Sequence, residues 1–215
     1  MKVAGVLLAA GEGSRFGQPK ALVELDGQTL AGRGVTLLRV GGADPVLVVT
    51  GAAPVELGPS VHTVYNKVWR SGMGSSLRAA LRALGQPGEP SGERDERPAT
   101  LPAGVGTEVG AVVVALADQP LVGAEAVARL IAAYRAGAGV AVAAYHGRPR
   151  NPVLIAREHW PGVVASATGD QGARAFLRGR PDLVTLVECG DTGRPDDVDT
   201  PADLARIAGL RRDPR

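Results

Sequence analysis

The residues with the clearest chemical potential lie near the start of the chain, in the segment AAGEGSRFGQPK at 9–20. This segment follows an apolar run whose length and composition are typical of a buried parallel strand. Loops that leave the carboxyl ends of such strands bind ligands in α/β proteins. Gly11 and Gly13 would allow backbone N–H groups to turn toward an anion, and Arg15 and Lys20 would add positive charge. The segment therefore predicts a loop that binds phosphate groups.

Two common phosphate-binding patterns do not fit this loop. A dinucleotide-binding G-x-G-x-x-G pattern needs glycine at position 16, where the chain has Phe16. A P-loop needs lysine directly after glycine and then Ser or Thr, but Pro19 precedes Lys20 and Ala21 follows it. The spacing A-A-G-x-G-x-R-F-G-x-P-K instead resembles the nucleotide-binding signature of the nucleotidyltransferase superfamily, which has a glycosyltransferase-A-like (GT-A) fold.

A second group of candidate residues is acidic. Asp118 stands in the segment ADQP at 117–120, directly after an apolar run at 111–116 that predicts a central strand. Mg²⁺ prefers one or two carboxylates, together with water and substrate phosphate oxygens. We therefore expect Asp118 to be a metal ligand, with Asp199 as the first choice for the second ligand and Asp197 as the next. The alternative for Asp197 and Asp199 is that their negative charges stabilise the N-terminal end of the helix that follows them, through its dipole.

Composition limits the class of protein. The chain has 215 residues, of which 45% are hydrophobic, so one domain with a large core is expected. No apolar run approaches the ~18 residues of a membrane span, and no signal-peptide pattern opens the chain. Cys189 is the single cysteine, which makes an internal disulfide impossible and favours the cytoplasm. A net charge of +2, 3% aromatic residues and histidines without ligand spacing argue against nucleic-acid and zinc binding.

Strand-like and helix-like segments alternate along the chain, which predicts an α/β fold with a mostly parallel central sheet. The last helix has the clearest start, because Thr200 and Asp203 match a capping box with Pro201 at the first helical position. The other helices are expected at 30–40, 75–84 and 124–136. Strands are expected at 3–9, 46–50, 61–65, 111–116, 140–144, 153–155 and 183–188.

Two segments do not fit this alternation. The stretch at 85–109 is rich in proline, glycine and charge, and it predicts a mobile loop inserted between a helix and a strand. Residues 209–215 predict a flexible tail, which leaves 1–208 as the domain. Gly32 and Gly34 each weaken the helix at 30–40 by about 1 kcal/mol relative to alanine, so that helix must depend on packing.

Several further segments resemble one branch of the superfamily, the molybdenum cofactor cytidylyltransferases. The segment NKVWRSGMGSSL at 66–77 is similar to N-P-x-W-x-x-G-M-G-S-S-L, and ADQP matches as it stands. RNPVL at 150–154, GDQGAR at 169–174 and DVDTPAD at 197–203 resemble G-[HN]-P-V-L, G-D-x-G-A-R and D-I-D-T-P-E-D. Lys67 and Arg150 depart from the pattern at positions that flank the expected base and pterin sites.

The resemblance implies a Rossmann-like, GT-A type fold of three α/β/α layers and the transfer of CMP from CTP to the phosphate of molybdopterin with release of pyrophosphate. Ala9-Ala10-Gly11 favours CTP, since guanylyltransferases tend to have Ala-Gly-Gly there. Alternatives are a GTP-dependent guanylyltransferase, a sugar- or polyol-phosphate nucleotidylyltransferase, and a non-catalytic chaperone that binds molybdenum cofactor. The expected partners are the nucleotide, the phosphorylated pterin, and a molybdoenzyme or its maturation chaperone.

The resemblance also implies the site residues. Mg²⁺ would bind Asp118 and Asp199, and the catalytic residues would be Arg15, Lys20 and Asp118. Ser75 and Ser76 could equally be helix caps, and Arg174 could form a surface salt bridge. The nucleotide would contact Leu8, Ala9, Ala10, Gly11, Gly13, Ser14, Arg15, Lys20, Asn66, Gly74, Ser75 and Asp118. The acceptor substrate would contact Ser76, Gln119, Asn151, Asp170 and Arg174.

Overall fold

A seven-stranded sheet in the order β5-β4-β1-β6-β8-β7-β9 forms the centre of the computed structural model, which describes residues 1–58, 60–85 and 106–212. All neighbouring strands of this sheet pair in parallel except β8, which is antiparallel to β6 and β7. The expected mostly parallel sheet is thus confirmed. Its strands are β1 (Lys2–Leu8), β4 (Val46–Thr50), β5 (His62–Tyr65), β6 (Val109–Leu116), β7 (Val140–Tyr145), β8 (Arg148–Ala156) and β9 (Val184–Glu188).

Helices cover both faces of the sheet and complete the expected α/β/α layers. On one face, α1 and α3 pack through residues such as Leu38 and Leu130. On the other, α2, α4 and α5 contribute Leu77, Trp160 and Phe176. None of the described helices is long and apolar enough to cross a membrane. The helices are α1 (Leu30–Val40), α2 (Met73–Gly85), α3 (Ala124–Arg135), α4 (Trp160–Ser166), α5 (Arg174–Gly179) and α6 (Pro201–Arg212).

The first helix depends on packing, as its glycines predict. Gly34 faces β1 so closely that a Cβ atom would collide with the side chain of Leu7, which is fully buried. The hydroxyl of Thr29 caps the helix by accepting a hydrogen bond from the amide of Gly32 at 3.1 Å. The glycines weaken the isolated helix, but Gly34 lets it lie against the central strand.

A small hairpin between β1 and α1 was not predicted, because its two strands are only two residues long. These strands, β2 (Glu24–Leu25) and β3 (Gln28–Thr29), pair in antiparallel fashion. The hairpin and the start of α1 contribute to a third core cluster of Val23, Leu25, Leu30, Val198 and Ile207. This cluster joins the chain after the glycine-rich loop to the C-terminal helix.

The boundaries of the two irregular segments differ from expectation. Helix α6 continues to Arg212, so residues 209–212 of the expected flexible tail are helical, which corrects that prediction. Gly85 ends α2 and Val109 begins β6, so the loop expected at 85–109 is shorter by these two residues. Residues 86–105, where most of this prediction falls, lie outside the described part of the chain, as do residues 213–215.

Candidate functional site

The glycine-rich loop leaves β1 at the edge of the sheet where the parallel strands end. Gly13 has a φ of +63° and its carbonyl accepts hydrogen bonds from the amides of Phe16 and Gly17, at 2.8 and 2.9 Å. A Cβ atom at Gly13 would collide with the carbonyl of Gln18, so the turn requires glycine for both its torsion angle and its space. After this turn, Lys20 begins a short 3₁₀ helix (Lys20–Leu22), and its side chain lies close to Gly13, where a Cβ atom would be 3.2 Å from Lys20 Cγ.

Lys20 joins two carboxylates that are distant in sequence. Its Nζ atom donates to Asp118 Oδ2 at 3.0 Å and to Asp199 Oδ1 at 2.5 Å. Arg15 approaches the other oxygen of Asp199, with Nη2 to Oδ2 at 3.1 Å. The exposed fractions of the side chains are 19% for Lys20, 27% for Asp118, 34% for Asp199 and 71% for Arg15. We call these four residues the charged cluster.

Backbone contacts explain why the two aspartates meet. Asp118 follows β6, and the amide of Val198 donates to its carbonyl oxygen at 2.8 Å. Val198 is fully buried in the third core cluster, so its neighbour Asp199 is fixed beside Asp118. The capping box of α6 holds the chain on the C-terminal side of Asp199. The amide of Thr200 donates to the Asp203 carboxylate at 2.9 Å, and the amide of Asp203 donates to the Thr200 hydroxyl at 3.2 Å.

The electrostatics of the charged cluster keep Lys20 protonated. Burial opposes the positive charge, but Asp118 and Asp199 together outweigh it through charge attraction and hydrogen bonds. The pKa of the Lys20 ammonium group is therefore raised above its ordinary value. Lys20 consequently remains a cation at neutral pH.

Asp197, the second choice for a metal ligand, has a different environment. Its Oδ1 atom accepts a hydrogen bond from Gln119 Nε2 at 2.9 Å. Burial raises the pKa of Asp197 against the effect of this hydrogen bond, and repulsion from Asp118 and Asp199 raises it further. Within the described residues, Gln119 Oε1 is buried and has no hydrogen-bond partner. Asp197 therefore orients Gln119, whereas Asp118 and Asp199 share one cation.

A cleft of about 550 Å³ lies beside the charged cluster. The glycine-rich loop forms one wall and the N-terminal end of α2 forms the other. A cleft of this volume falls within the range of small-molecule sites. Its lining consists of Leu8, Ala9, Ala10, Gly11, Glu12, Gly13, Ser14, Arg15, Lys20, Ala21, Trp69, Arg70, Gly72, Met73, Ser76, Leu116, Ala117, Asp118 and Asp170.

The wall formed by α2 is held by buried hydrogen bonds. Asn66 is 4% exposed, and its Nδ2 atom donates to the hydroxyls of Ser75 and Ser76 at 2.8 and 3.0 Å. Its Oδ1 atom accepts from the amide of Val68 at 3.1 Å, and Ser75 donates to the carbonyl of Gly72 at 2.8 Å. Asn66 and Ser75 thus close the turn before α2, and of the two serines only Ser76 lines the described cleft.

The glycines of the GMG segment let α2 approach the turn before α5. A Cβ atom at Gly74 would lie 2.8 Å from the carbonyl carbon of Ala167. Gly72, with a φ of +98°, would meet the backbone of Gly169. Asp170 accepts a hydrogen bond from the amide of Met73 at 3.4 Å and also lines the cleft. The GMGSSL and GDQGAR segments therefore form one wall together.

Three other predicted substrate residues do not line the described cleft. Gln119 contacts Asp197 beside it. Asn151 lies half-buried in β8, next to Arg150, whose guanidinium donates to the carbonyl of Pro149. Arg174 begins α5 with an exposed side chain. The structure therefore brings Arg15, Lys20, Asp118, Asp199, Ser76 and Asp170 to one site and leaves these three at its margins.

Sequence reasoning assigned no role to two large side chains of the cleft. Trp69 and Arg70 belong to the segment NKVWRSGMGSSL, and both line the cleft. The guanidinium of Arg70 lies 4.4 Å from the centre of the Trp69 ring and 3.9 Å from Glu12 of the opposite loop. The available signal was the position of Trp69 just before the glycine-containing GMG segment.

The donor set of the charged cluster fits a small divalent cation. Two carboxylates, one after β6 and one just before α6, already converge on one positive group, as a hard cation bound by one or two carboxylates would require. Among the described residues, no group of three or more His, Cys, Asp or Glu side chains could hold a metal ion. The pair is therefore suited to a cation that takes its remaining ligands from water and phosphate.

Comparisons with known proteins identify relatives that match most or part of the chain. Nicotine blue oxidoreductase of Paenarthrobacter nicotinovorans is 35% identical, over 95% of this chain and 96% of that protein. The purine catabolism protein PucB of Bacillus subtilis is 28% identical over 94% of both chains. A protein of Opitutus terrae named "Probable molybdenum cofactor guanylyltransferase" is 38% identical over 40% of this chain and 43% of its own.

Solved structures show the same fold. The homologue of Mycobacterium tuberculosis Rv0371c from Mycobacterium sp. strain JC1 has a TM-score of 0.74 and 30% identity, covering 99% of this chain and all of that one. Rv0371c in complex with manganese has a TM-score of 0.66 and 25% identity, covering 97% and 99%. The profile of the MobA-like NTP transferase domain matches residues 5–185. The chain therefore belongs to the MobA-like NTP transferase family of the nucleotidyltransferase superfamily.

Proposed function

We propose that this protein transfers the nucleoside monophosphate of a triphosphate, CTP in the first instance, to the phosphate of molybdopterin and releases pyrophosphate. The observation that carries the proposal is the convergence of Arg15, Lys20, Asp118 and Asp199 beside a cleft lined by the glycine-rich loop. This arrangement offers positive charge for phosphates and a carboxylate pair for Mg²⁺ in the same place.

The nucleophile of this reaction needs no general base. A phosphomonoester has a second pKa near 6 and is already an anion at neutral pH. Its oxygen forms a bond to the α-phosphorus, the bond from that phosphorus to the bridging oxygen breaks, and the electron pair leaves with pyrophosphate. Among the described residues that line the cleft there is no histidine, which is compatible with this chemistry. Catalysis would then consist of positioning and charge stabilisation.

The residues of the chain divide this work. Backbone amides of Gly11 to Gly13 would hold the triphosphate, and Arg15 and Lys20 would stabilise the charge on the departing pyrophosphate. Asp118 and Asp199 would hold Mg²⁺, which supplies charge neutralisation to phosphate oxygens when bound. The structure of a relative with manganese supports a divalent cation of this kind.

The remaining predicted residues would recognise the two substrates. Leu8, Ala9, Ala10 and Ser14 lie on the loop side of the cleft, where the nucleoside would bind. Asn66, Gly74 and Ser75 would act on the nucleotide through the wall that they shape. Ser76 and Asp170 would face the pterin phosphate or ring, with Gln119, Asn151 and Arg174 at the margins of that site. Trp69, with the Arg70 guanidinium over its ring, would add apolar contact to either substrate.

The proposal has two forms, which differ in whether the nucleotide substrate is CTP or GTP. Ala9-Ala10-Gly11 favours CTP, whereas the Opitutus relative is named a guanylyltransferase and supports GTP. The substitutions at Lys67 and Arg150 leave a sugar or polyol phosphate as an alternative acceptor. The single cysteine agrees with a cytoplasmic enzyme that delivers its product to a molybdoenzyme or its maturation chaperone.

The names of two relatives favour a second candidate. Nicotine blue oxidoreductase and PucB match nearly the whole chain, so a role in the conversion of nitrogen heterocycles deserves a test. Such a role could be a redox reaction, or it could be the maturation of a molybdoenzyme by a chaperone that binds the pterin. Phe16 interrupts a dinucleotide-binding pattern in the loop, and the charged cluster suits phosphate better than hydride transfer.

One assay distinguishes these candidates. Pyrophosphate release would be measured with molybdopterin and Mg²⁺ or Mn²⁺, with CTP, GTP, UTP and ATP in parallel reactions. A separate assay would follow the oxidation of NADH or NADPH. We expect release with CTP and a much lower rate with the other three. Tight binding of the pterin without release from any triphosphate would establish the chaperone, and reduced-cofactor consumption with nicotine blue would establish the oxidoreductase.

A further inference from the structure

The charged cluster contains a cation of its own at the point where the two aspartates meet. Lys20 Nζ lies within hydrogen-bond distance of one oxygen from Asp118 and one from Asp199, at 3.0 and 2.5 Å. These two carboxylates are also the residues best suited to Mg²⁺. The ammonium group and a divalent ion would therefore compete for the same pair of oxygen atoms.

Both ions cannot occupy this point together. A divalent cation binds carboxylate oxygens at about 2.0–2.6 Å, so an ammonium group between the same oxygens would repel it at short range. Arg15 adds a second positive charge at the other oxygen of Asp199, 3.1 Å away. Lys20 and Arg15 thus engage three of the four oxygen atoms of the two carboxylates.

We propose that Lys20 is a resident counter-ion that closes the metal site until a nucleotide arrives. The inference rests on the proposed function, because it takes the triphosphate as the ligand that draws Lys20 away. When phosphates enter the cleft, the ammonium group moves from the carboxylates to the phosphate oxygens, and the vacated oxygens bind the divalent cation. Metal and nucleotide then bind cooperatively, and neither binds well without the other.

The surroundings of Lys20 permit this exchange. Lys20 lines the same cleft as the glycine-rich loop, so its ammonium group needs only to turn to reach a bound phosphate. A short 3₁₀ helix and the buried neighbour Ala21 fix the backbone, so the movement is confined to the flexible side chain. The two aspartates are held by Val198 and by the capping box of α6 and need not move.

Binding linkage makes the inference measurable. If the nucleotide increases the affinity for metal, the metal must increase the affinity for the nucleotide by the same factor. Removal of the Lys20 charge should therefore change the affinity for metal alone and the coupling between metal and nucleotide in opposite directions. Metal alone should bind more tightly to the variant, whereas the increase caused by the nucleotide should become smaller.

The experiment is a titration of Mn²⁺ followed by the electron paramagnetic resonance signal of the free ion. It compares the wild type with Lys20→Met, which keeps most of the aliphatic stem and loses the charge. Lys2→Met is the matched control, because Lys2 also lies between two carboxylates, 3.4 Å from Asp44 and 3.6 Å from Glu108, at the opposite edge of the sheet. Circular dichroism verifies folding, and Lys20→Gln replaces Lys20→Met if that protein does not fold.

We expect Lys20→Met to bind Mn²⁺ alone at least about fivefold more tightly than the wild type, and Lys2→Met to bind like the wild type. Addition of Asp118→Asn to Lys20→Met should remove this gain. A non-hydrolysable CTP analogue should increase the Mn²⁺ affinity of the wild type more than that of Lys20→Met. Equal or weaker Mn²⁺ binding by Lys20→Met without nucleotide would overturn the inference.

The two failures can be told apart. If the protein bound none of the four nucleotides, the proposed function would fail, while the comparison with Mn²⁺ alone would still test whether Lys20 blocks the cation site. If nucleotides bound and were turned over but Lys20→Met gained no affinity for Mn²⁺, only the counter-ion role of Lys20 would fail.

Discussion

The two walls of the cleft use their polar residues in different ways. On the side of the glycine-rich loop, Arg15, Lys20, Asp118 and Asp199 pair with one another, and they line or border the cleft. On the side of α2, the polar groups of Asn66 and Ser75 are consumed by buried hydrogen bonds. The first wall can exchange its partners for a ligand, whereas the second gives the cleft its shape. Asn66 and Ser75 thus support the wall of the cleft without lining it.

The largest expected effect comes from Asp118 and Asp199, the proposed Mg²⁺ ligands. Asp118→Asn keeps the size of the side chain and removes the charge that would hold Mg²⁺, so kcat/KM should fall about a thousandfold. The melting temperature should change little, because Asp118 is partly exposed and only joins the charged cluster. Asp44→Asn, at the other edge of the sheet, is the matched control and should have normal activity. A steady-state pyrophosphate assay with melting curves measures both quantities.

Lys20→Ala should have the next largest effect. Loss of a preorganised positive charge at the leaving group costs a few kcal/mol in the transition state, so kcat should fall about a hundredfold. The same change leaves Asp118 and Asp199 without their shared cation. Near-normal turnover by this variant, measured at saturating Mg²⁺ and CTP, would remove Lys20 from the mechanism.

On the other wall, Gly74→Ala should reduce stability rather than chemistry. The added methyl group would lie 2.8 Å from the carbonyl carbon of Ala167, and such overpacking costs about 1–3 kcal/mol. For a protein of this size the melting temperature should fall by about 2–12 °C. Gly85→Ala, in the same helix with open space around the new methyl group, is the control and should have a melting temperature equal to or slightly above that of the wild type.

Activity measurements on folded Gly74→Ala sharpen the comparison. If kcat per folded molecule falls as far as in Asp118→Asn while the melting temperature is unchanged, the α2 wall takes part in the chemistry directly. The division between the two walls would then be wrong.

The smallest effect on stability is expected at Glu188, the last residue of β9. The Glu188 carboxylate accepts hydrogen bonds from the amides of Gly147 and Gly190, at 3.0 and 2.9 Å, and from that of His146, and these bonds lower its pKa. A carboxylate whose pKa is lowered by folding stabilises the folded protein at any pH above its pKa in the unfolded chain. This stabilisation is lost as the pH falls through the pKa of the folded state. Glu188→Gln should therefore melt slightly below the wild type at pH 7.

The difference for Glu188→Gln should shrink as the pH falls below about 4, where the wild-type carboxylate also becomes neutral. Melting curves of both proteins from pH 7 to pH 3 measure this trend. A difference that is constant across the range would mean that the charge of Glu188 does not matter.

The sheet and the positions of Asp118 and Asp199 could be predicted from the sequence, because both depend on local signals. Apolar runs of strand length located the strands, and the aspartates at 118 and 199 follow a strand or precede a capped helix. The contact between Lys20 and Asp199 had no such signal, since these residues are 179 positions apart. It depends on the hairpin of β2 and β3 and on Ile207, whose packing in the third core cluster only the tertiary structure reveals.

The predicted substrate residues show the same limit. Asp170, which motif spacing singled out, lines the cleft because the turn before α5 packs on Gly72. Motif spacing could not show that Asn66 and Ser75 bond to each other, since hydrogen-bond partners depend on side-chain orientation in the folded chain. It also gave no role to Trp69, whose motif position does not state which way the ring faces.

The most direct test of the central claim is a crystal structure with Mn²⁺ and a non-hydrolysable CTP analogue, in which anomalous scattering locates the metal. We predict a manganese peak bound by both Asp118 and Asp199, in contact with the triphosphate, whose outer phosphates lie against Arg15 and the glycine-rich loop. A triphosphate remote from Asp118, or a manganese ion bound elsewhere, would contradict the account.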